Sequence, residues 1–311
     1  VECVKYHEYG VSDKGEHMTA VLLDGRATSS AIREEVKAAV EHLKADEGLV
    51  PGLATVLVGK NPASQTYVNL KEKQCEQAGM RAFGQHLPAD IGQAELLDEI
   101  AALNADPEVH GILVQLPLPD HLDEDETLAA IALEKDVDGF HPLNIARLTL
   151  QGVEPTFAPC MPLGCIELLE RYGVDIKGKE AVVLGPSNIV GLPTALLLLH
   201  RGATLNICHP HTEDLAGISR RADILVAAID EPGMVKGDWV KPGAAVIDVG
   251  WSRVKAEGEK EYRVVGNVDF DEVKDVAGFI TPVPGGTGPM TIAMLLQNTL
   301  LSAQRSVQNV A

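Results

Sequence analysis

Positive charge is scarce in this chain. Lysines and arginines number 26 against 45 aspartates and glutamates, a formal charge of −19 over 311 residues. That balance excludes a general electrostatic grip on nucleic acid or an anionic membrane and leaves only local basic pockets. Also missing is any run of about 18 apolar residues able to span a bilayer. The five cysteines, Cys3, Cys75, Cys160, Cys165 and Cys208, are odd in number and contain no C-x-x-C pair. Neither a disulfide framework nor a zinc or redox motif is indicated, and reduced thiols in a cytoplasm are expected. The first seventeen residues carry no apolar h-region and no small-residue cleavage site, so they do not read as a secretory signal. An extension over 1–17 ahead of Met18 is expected. No internal repeat or low-complexity tract stands out.

What remains is a chain rich enough in apolar residues, at 45%, to bury a sizeable core. Its length exceeds what one core usually serves, about 250–300 residues, so two domains are expected. From Leu22 onward, strand-length apolar segments alternate with segments of helical period, the pattern of a parallel sheet covered by helices. Helices are expected at 30–44, 64–78 and 94–104, and strands at 53–58 and 111–115, the second stopped by Pro117 and Pro119. An irregular stretch over 136–162 leads to a helix at 163–171 and then to strands at 181–184, 204–208, 224–227 and 245–249. An apolar helical segment over 290–307 closes the chain and is expected to pack back on the first domain. The fold class is α/β, with two α/β domains divided as 18–160 and 161–289, the second a Rossmann-type parallel sheet.

Several segments could carry chemistry. After the strand ending at Leu184 comes Gly185-Pro186-Ser187-Asn188-Ile189-Val190-Gly191 and then an apolar helical run. A glycine turn between strand and helix lets backbone N–H groups approach a pyrophosphate, with the helix N-terminus adding partial positive charge. Such turns also serve plain packing, and both readings are open at this point. About twenty residues on, where an acid would read the ribose 2′-hydroxyl of NAD, the chain has Cys208-His209-Pro210-His211-Thr212 and no carboxylate. His209 or His211, if protonated, could donate to a 2′-phosphate; a surface turn is the alternative. Two histidines without a third placed ligand make a poor zinc site, and no metal is expected.

In the first domain Tyr67 and Lys71 stand four apart on a helix, so they share a face near the carboxyl end of a parallel strand, where open α/β sheets bind ligands. Lysine can trade a proton if desolvation lowers its pKa, or it can be an ordinary solvated side chain. Gln115 ends an apolar strand in VQLPLP, where its amide must find a ligand or a core partner. Asp136 and Asp138 precede Gly139, as a heterocycle acceptor or a turn former. The 281–291 segment TPVPGGTGPMT combines prolines of fixed φ with open glycine backbone, suited to pressing main chain against a planar ligand.

Together these segments resemble the bifunctional methylenetetrahydrofolate dehydrogenase/methenyltetrahydrofolate cyclohydrolase family. The resemblance runs in order through LLDG at Leu22, SQTYVNLK at Ser64, VQLPLP at Val114, EKDVDGF at Glu134, P-C-x-P-x-G at Pro159, the glycine turn at Gly185, MVKGDWVKPGAAVIDVG at Met234 and TPVPGGTGPMTIAML at Thr281. It implies two domains flanking a cleft, usually a homodimer, and supply of one-carbon units to purine biosynthesis. The implied reactions are oxidation of 5,10-methylene-tetrahydrofolate with NADP and hydrolysis of the methenyl product to 10-formyl-tetrahydrofolate. Lys71 matches the family's acid–base lysine, Gln115 the glutamine that positions it, and Tyr67 the aromatic that stacks beside folate. Asp138 matches the acid on the pterin edge. Val114, Leu116, Pro284, Gly285, Gly286 and Thr287 match further substrate contacts. Gly185, Pro186, Ser187, Ile189, Val190, His209, Pro210, Thr212 and Trp251 match the cofactor site.

The departures bear on the cofactor. Pro186 stands where the family has an arginine facing the 2′-phosphate, and Pro210 where it has a serine. A charged, hydrogen-bonded phosphate contact is worth roughly 1.5–3 kcal/mol, so NADP is implied by the resemblance while NAD is left open by these prolines. Met161, Trp251-Ser252, Asn267 and Thr287 replace Thr, Ile-Asn, Asp and Val of the usual motifs. A cyclohydrolase with a weakened dehydrogenase, and a non-catalytic folate-binding paralogue, are the competing readings. Intact Tyr67, Lys71, Gln115 and Asp138 argue against the second of these.

Overall fold

The computed structural model describes residues 20–150, 152–255 and 262–308; the expected extension over 1–17 and Cys3 lie outside them. In chain order the elements are β1 (Val21–Leu22), α1 (Gly25–Glu47), β2 (Gly52–Val58), α2 (Pro62–Gln77), β3 (Arg81–Leu87), α3 (Gln93–Ala105), β4 (Gly111–Val114), α4 (Glu124–Ala129) and α5 (Pro142–Leu148). Then follow α6 (Cys160–Arg171), β5 (Glu180–Leu184), α7 (Gly191–His200), β6 (Thr204–Cys208), α8 (Leu215–Ser219), β7 (Ile224–Ala227) and β8 (Ala245–Asp248). β9 (Ser252–Lys255), β10 (Tyr262–Val265), α9 (Phe270–Val273), β11 (Phe279–Ile280) and α10 (Thr287–Gln308) complete it.

The chain forms two compact units. One gathers Ala20–Thr28 with Met161–Thr291, the other Ser29–Cys160 with Ile292–Gln308. The latter is built on a parallel sheet of order β3-β2-β4. β2, GLATVLV, is buried at every position, because helices cover both faces of a parallel sheet and leave no polar side. Ala54, Val56, Ile112 and Val114 pack there against Leu96, Ile100 and Leu103 of α3. The last helix joins this unit through hydrogen bonds from Asn298 Nδ2 to Val137 O at 2.8 Å, Ser302 Oγ to Glu134 O at 2.7 Å and Arg305 Nη1 to Thr156 O at 2.8 Å.

The other unit has a six-stranded parallel sheet of order β1-β11-β8-β7-β5-β6, with the antiparallel pair β9-β10 beside it. Its core gathers Val182, Leu184, Leu225, Ala227, Val246 and Ile280. The order reverses direction at β5, the first strand of the alternation, as in doubly wound nucleotide-binding folds.

Two of the differences from the sequence expectations bear on the domain bounds and the linker. Residues 18–28 were expected with the 18–160 domain, but Val21 and Leu22 pair in parallel with Phe279 and Ile280, making β1 an edge of the six-stranded sheet. The 136–162 stretch is not wholly irregular. α5 starts at Pro142 behind His141, whose side chain accepts from Leu143 N, and α6 begins at Cys160.

Candidate functional site

The candidate acid–base site is set by one helix start and one strand end. Asn61 precedes Pro62 and its side chain accepts from the N–H groups of Ala63 and Ser64. An amide cap with proline at the first helical position fixes where α2 begins, and hence which side chains face the sheet. Tyr67 is left half-exposed, while Lys71, one turn later, is buried to 8% exposure. Its Nζ donates to Gln115 Oε1 at 3.0 Å. Gln115 follows β4, its N–H donates to Val56 O at 2.9 Å, and its Nε2 donates to Leu116 O at 2.8 Å. Both ends of the amide are therefore used, so the acceptor oxygen is held toward the lysine.

Asp138 completes the cluster. Burial pushes its carboxyl above the usual carboxylate range, and the nearby Lys71 ammonium and the Cys160 thiol pull it part of the way back. The turn that carries it is anchored by Asp136, 1% exposed, which accepts from Phe140 N at 3.2 Å, His141 N at 2.9 Å and Asn144 Nδ2 at 2.7 Å. Burial pushes Asp136 up to about 7 against those hydrogen bonds. On the other side, the Cys160 thiol donates to Val137 O at 3.3 Å and Asn298 Nδ2 donates to the same oxygen at 2.8 Å. Asp136 was noted in the sequence as an acid beside Asp138. Cys160 and Asn298 were not singled out: their role depends on a helix 138 residues further along the chain.

The glycine turn lies in the six-stranded unit. Gly185 leaves β5 with φ of 98°, and a Cβ there would come within 2.0 Å of Ala228 O. A Cβ on Gly191 would lie 1.7 Å from Gly185 O. Glycine is therefore required at both positions by close backbone approach. Ser187 Oγ accepts from Val190 N at 3.3 Å and Gly191 N at 3.1 Å, closing the start of α7. A cavity of about 650 Å³ opens here, lined by Gly185, Pro186 and Ser187, by His209 and Pro210 after β6, and by Asp230 and Glu231 after β7, with Leu215, Ile229 and Met234 as apolar walls. Turn, helix start and apolar walls fit the adenosine and pyrophosphate of a dinucleotide.

Of the remaining residues matched to the cofactor, Ile189, Val190, Thr212 and Trp251 do not line this cavity. Ile189 and Trp251 are exposed, and the Arg253 guanidinium lies over the Trp251 ring at 5.2 Å. Thr212 instead organises the loop after β6. His209 N donates to Thr212 Oγ1 at 3.0 Å, and His209 Nδ1 accepts from His211 N at 3.2 Å with Thr212 Oγ1 at the same distance.

The 284–287 segment is in the same unit. Gly285 takes φ of 117°, Arg26 N donates to Gly285 O at 3.1 Å, and a Cβ on Gly25 would reach Gly286 O at 1.7 Å. The start of α1 is thus seated on this loop. Pro284 is exposed, while Gly286 and Thr287 are buried, with Thr287 Oγ1 directed to Asp248 O at 3.4 Å. The Asp248 carboxylate accepts from Gly250, Asn267 and Val268 N at 2.9 Å each, and burial pushes it up to about 6. The Asn267 side chain is buried without a hydrogen-bond partner, and nothing in the structure explains the amide there.

The chain is similar to known proteins over nearly all of its length. Residues 23–138 match the model of the tetrahydrofolate dehydrogenase/cyclohydrolase catalytic domain, and 159–307 that of the tetrahydrofolate dehydrogenase/cyclohydrolase NAD(P)-binding domain. The chain is 55% identical over 288 residues to bifunctional protein FolD 2 of Arabidopsis thaliana, covering 92% of this chain and 96% of that one. It is 56% identical over 288 residues to bifunctional protein FolD of Moorella thermoacetica, covering 93% and 100%. The solved methylenetetrahydrofolate dehydrogenase-cyclohydrolase of Trypanosoma brucei, complexed with NADP and an inhibitor, superposes with a TM-score of 0.88 at 45% identity, covering 93% of this chain and 99% of that one.

Proposed function

The chain belongs to the bifunctional methylenetetrahydrofolate dehydrogenase/methenyltetrahydrofolate cyclohydrolase family, and from that premise we propose which of its residues carry the two reactions. It oxidises 5,10-methylene-tetrahydrofolate to the methenyl form with NAD(P) and hydrolyses that cation to 10-formyl-tetrahydrofolate, in one-carbon metabolism. The folate is held in the three-stranded unit by Tyr67, Lys71, Val114, Gln115, Leu116 and Asp138, and the family resemblance names Pro284, Gly285, Gly286 and Thr287 of the six-stranded unit as further substrate residues. The observation that carries this reading is the buried Lys71 on Gln115 at 3.0 Å, one turn from the half-exposed Tyr67.

The chemistry asks for that pair. In the hydrolysis, water adds to the cationic carbon and sheds a proton as the C–O bond forms. N5 gains a proton as its bond to that carbon breaks, and one proton is released overall. A positioned acid–base group lowers both barriers. Lys71 Nζ is that group, and Gln115, as a positioning residue, keeps its remaining hydrogens turned toward the substrate. Asp138 accepts from the pterin edge. In the oxidation, the cation that forms is stabilised by its own two nitrogens, so the protein's task is orientation. The nicotinamide supplies the hydride acceptor when bound. Gly185, Pro186, Ser187, His209 and Pro210 hold the adenosine end, with Ile189, Val190, Thr212 and Trp251 outside that cavity.

Loss of an arginine at Pro186 and a serine at Pro210 supports relaxed cofactor use, with NAD accepted beside NADP. The family pattern supports a homodimer acting in the cytoplasm. Lys71→Met is the direct test. The decay of methenyl-tetrahydrofolate absorbance without cofactor should fall to the uncatalysed rate in a protein of unchanged Tm, and normal turnover in that variant would reject the assignment.

A further inference from the structure

The 208–212 stretch at the end of β6 holds no carboxylate, and of the two acids that follow it Asp214 caps α8; the acids that line the cavity follow another strand. The cavity bounded by the Gly185 turn and by His209 and Pro210 is also lined by Asp230 and Glu231, which follow β7. β7 and β6 flank β5 on opposite sides, so their loops close over the same glycine turn. In a doubly wound sheet the end of the second strand is where the adenosine ribose is read, and the turn is where the pyrophosphate sits. The ribose 2′ position therefore falls in a cavity whose ionisable lining is two carboxylates, one histidine and the Cys208 thiol. No lysine or arginine is among the described residues that line it.

His209 does not offset them. Its Nδ1 accepts from His211 N at 3.2 Å and lies at the same distance from Thr212 Oγ1, whose oxygen already accepts from His209 N. Nδ1 is thereby engaged within its own loop rather than offered to the cavity. A 2′-phosphate, with about two negative charges, would meet carboxylates there, while a 2′-hydroxyl can donate to one.

Resting on the reading of this cavity as the dinucleotide site, we propose that Asp230 and Glu231 are specificity-determining residues that reject the ribose 2′-phosphate and make NAD the preferred cofactor. Both are exposed, so their repulsion is long-ranged only at low salt and shrinks as the Debye length falls from about 30 Å at 0.01 M to about 3 Å at 1 M. Pro186 and Pro210 remove attraction for the phosphate; the two acids add repulsion, and charge neutralisation separates these contributions.

The experiment is calorimetric titration of the full chain with ADP-ribose and with 2′-phospho-ADP-ribose, in the parent and in Asp230→Asn/Glu231→Gln. The ratio of the two dissociation constants is insensitive to any misfolded fraction, which lowers both signals alike. In the parent the 2′-phosphate form should bind at least about tenfold more weakly at 20 mM NaCl, and that ratio should contract at 500 mM. In the neutralised variant the ratio should approach one and lose its salt dependence. Matching kcat/KM measurements with NAD and NADP should shift in the same direction. Tighter binding of the 2′-phosphate form by the parent overturns the proposal. A parent ratio that persists unchanged in the variant also overturns it and assigns the discrimination to the prolines. If neither ligand binds, the dinucleotide reading of the cavity fails first and this proposal falls with it.

Discussion

At Gly185 the backbone has φ of 98°, and a methyl group would stand 2.0 Å from Ala228 O. Both the conformation and the space exclude any side chain. Gly185→Ala should therefore cost more than about 2 kcal/mol of stability, through strain and displaced backbone together. Urea denaturation followed by ADP-ribose titration checks it, with weaker nucleotide binding expected in whatever folded protein remains; a variant as stable as the parent would show that the turn is looser than it looks. This residue was legible in the sequence as a glycine between strand and helix, whereas the spacing of Lys71 from Tyr67 left a solvated lysine equally open and only the family resemblance proposed its role. From its own strand Gln115 was legible only as a polar residue that needed a partner, and the family resemblance implied Lys71. The hydrogen bond itself joins α2 to the residue after β4, 44 residues apart in the chain. Cys160 and Asn298 gave no local signal, because what they hold, the carbonyl of Val137, is ordinary backbone until the last helix is brought to it.

At the scale of elements, α2 carries Lys71, the proposed acid–base group, and its register depends on the Asn61 cap. Asn61→Ala should lower stability by about 1 kcal/mol. It should also lower cyclohydrolase kcat, because a frayed first turn loosens the helix that presents Tyr67 and Lys71. Comparing kcat and KM in the variant tests this coupling, and unchanged kcat beside the lost stability would uncouple cap from site. Long apolar or strongly periodic elements such as β2, α3 and β5 are legible because burial on both faces, or on one helical stripe, writes itself into composition. β3 is not. Its sequence, RAFGQHL, is partly exposed along its whole length at the edge of the three-stranded sheet, so polar residues obscure the pattern. β1 and β11 are two residues each and exist only by pairing with each other and with β8. α5 is a short helix set by proline and a histidine cap in a stretch whose prolines suggested irregular chain.

For the whole molecule, two buried carboxylates make stability depend on pH. Burial raises Asp136 to about 7 and Asp248 to about 6 in the folded state, above the roughly 3.9 of an unfolded aspartate. The folded protein then binds these protons more tightly. Their contribution is complete below pH about 4 and is lost as pH rises through about 6 to 7. Self-repulsion from a formal charge of −19 acts in the same direction. Calorimetric Tm should fall from pH 5.5 to 8, and Asp136→Asn/Asp248→Asn should flatten the slope; an equal slope in parent and variant would trace the dependence elsewhere. The scarcity of cations, visible in composition, ruled out broad anion binding. Sequence alone also determined the α/β class and the glycine turn, because secondary-structure period and close backbone approach are local properties of the chain, and through the family resemblance it pointed to Lys71 as the proposed acid–base group. Only the tertiary structure decided that Val21 and Leu22 edge the six-stranded sheet and that Asp230 and Glu231 share a cavity with Pro186 and Pro210. Each of these joins residues far apart in sequence, and such contacts follow from how strands are ordered in a sheet, which no local pattern encodes.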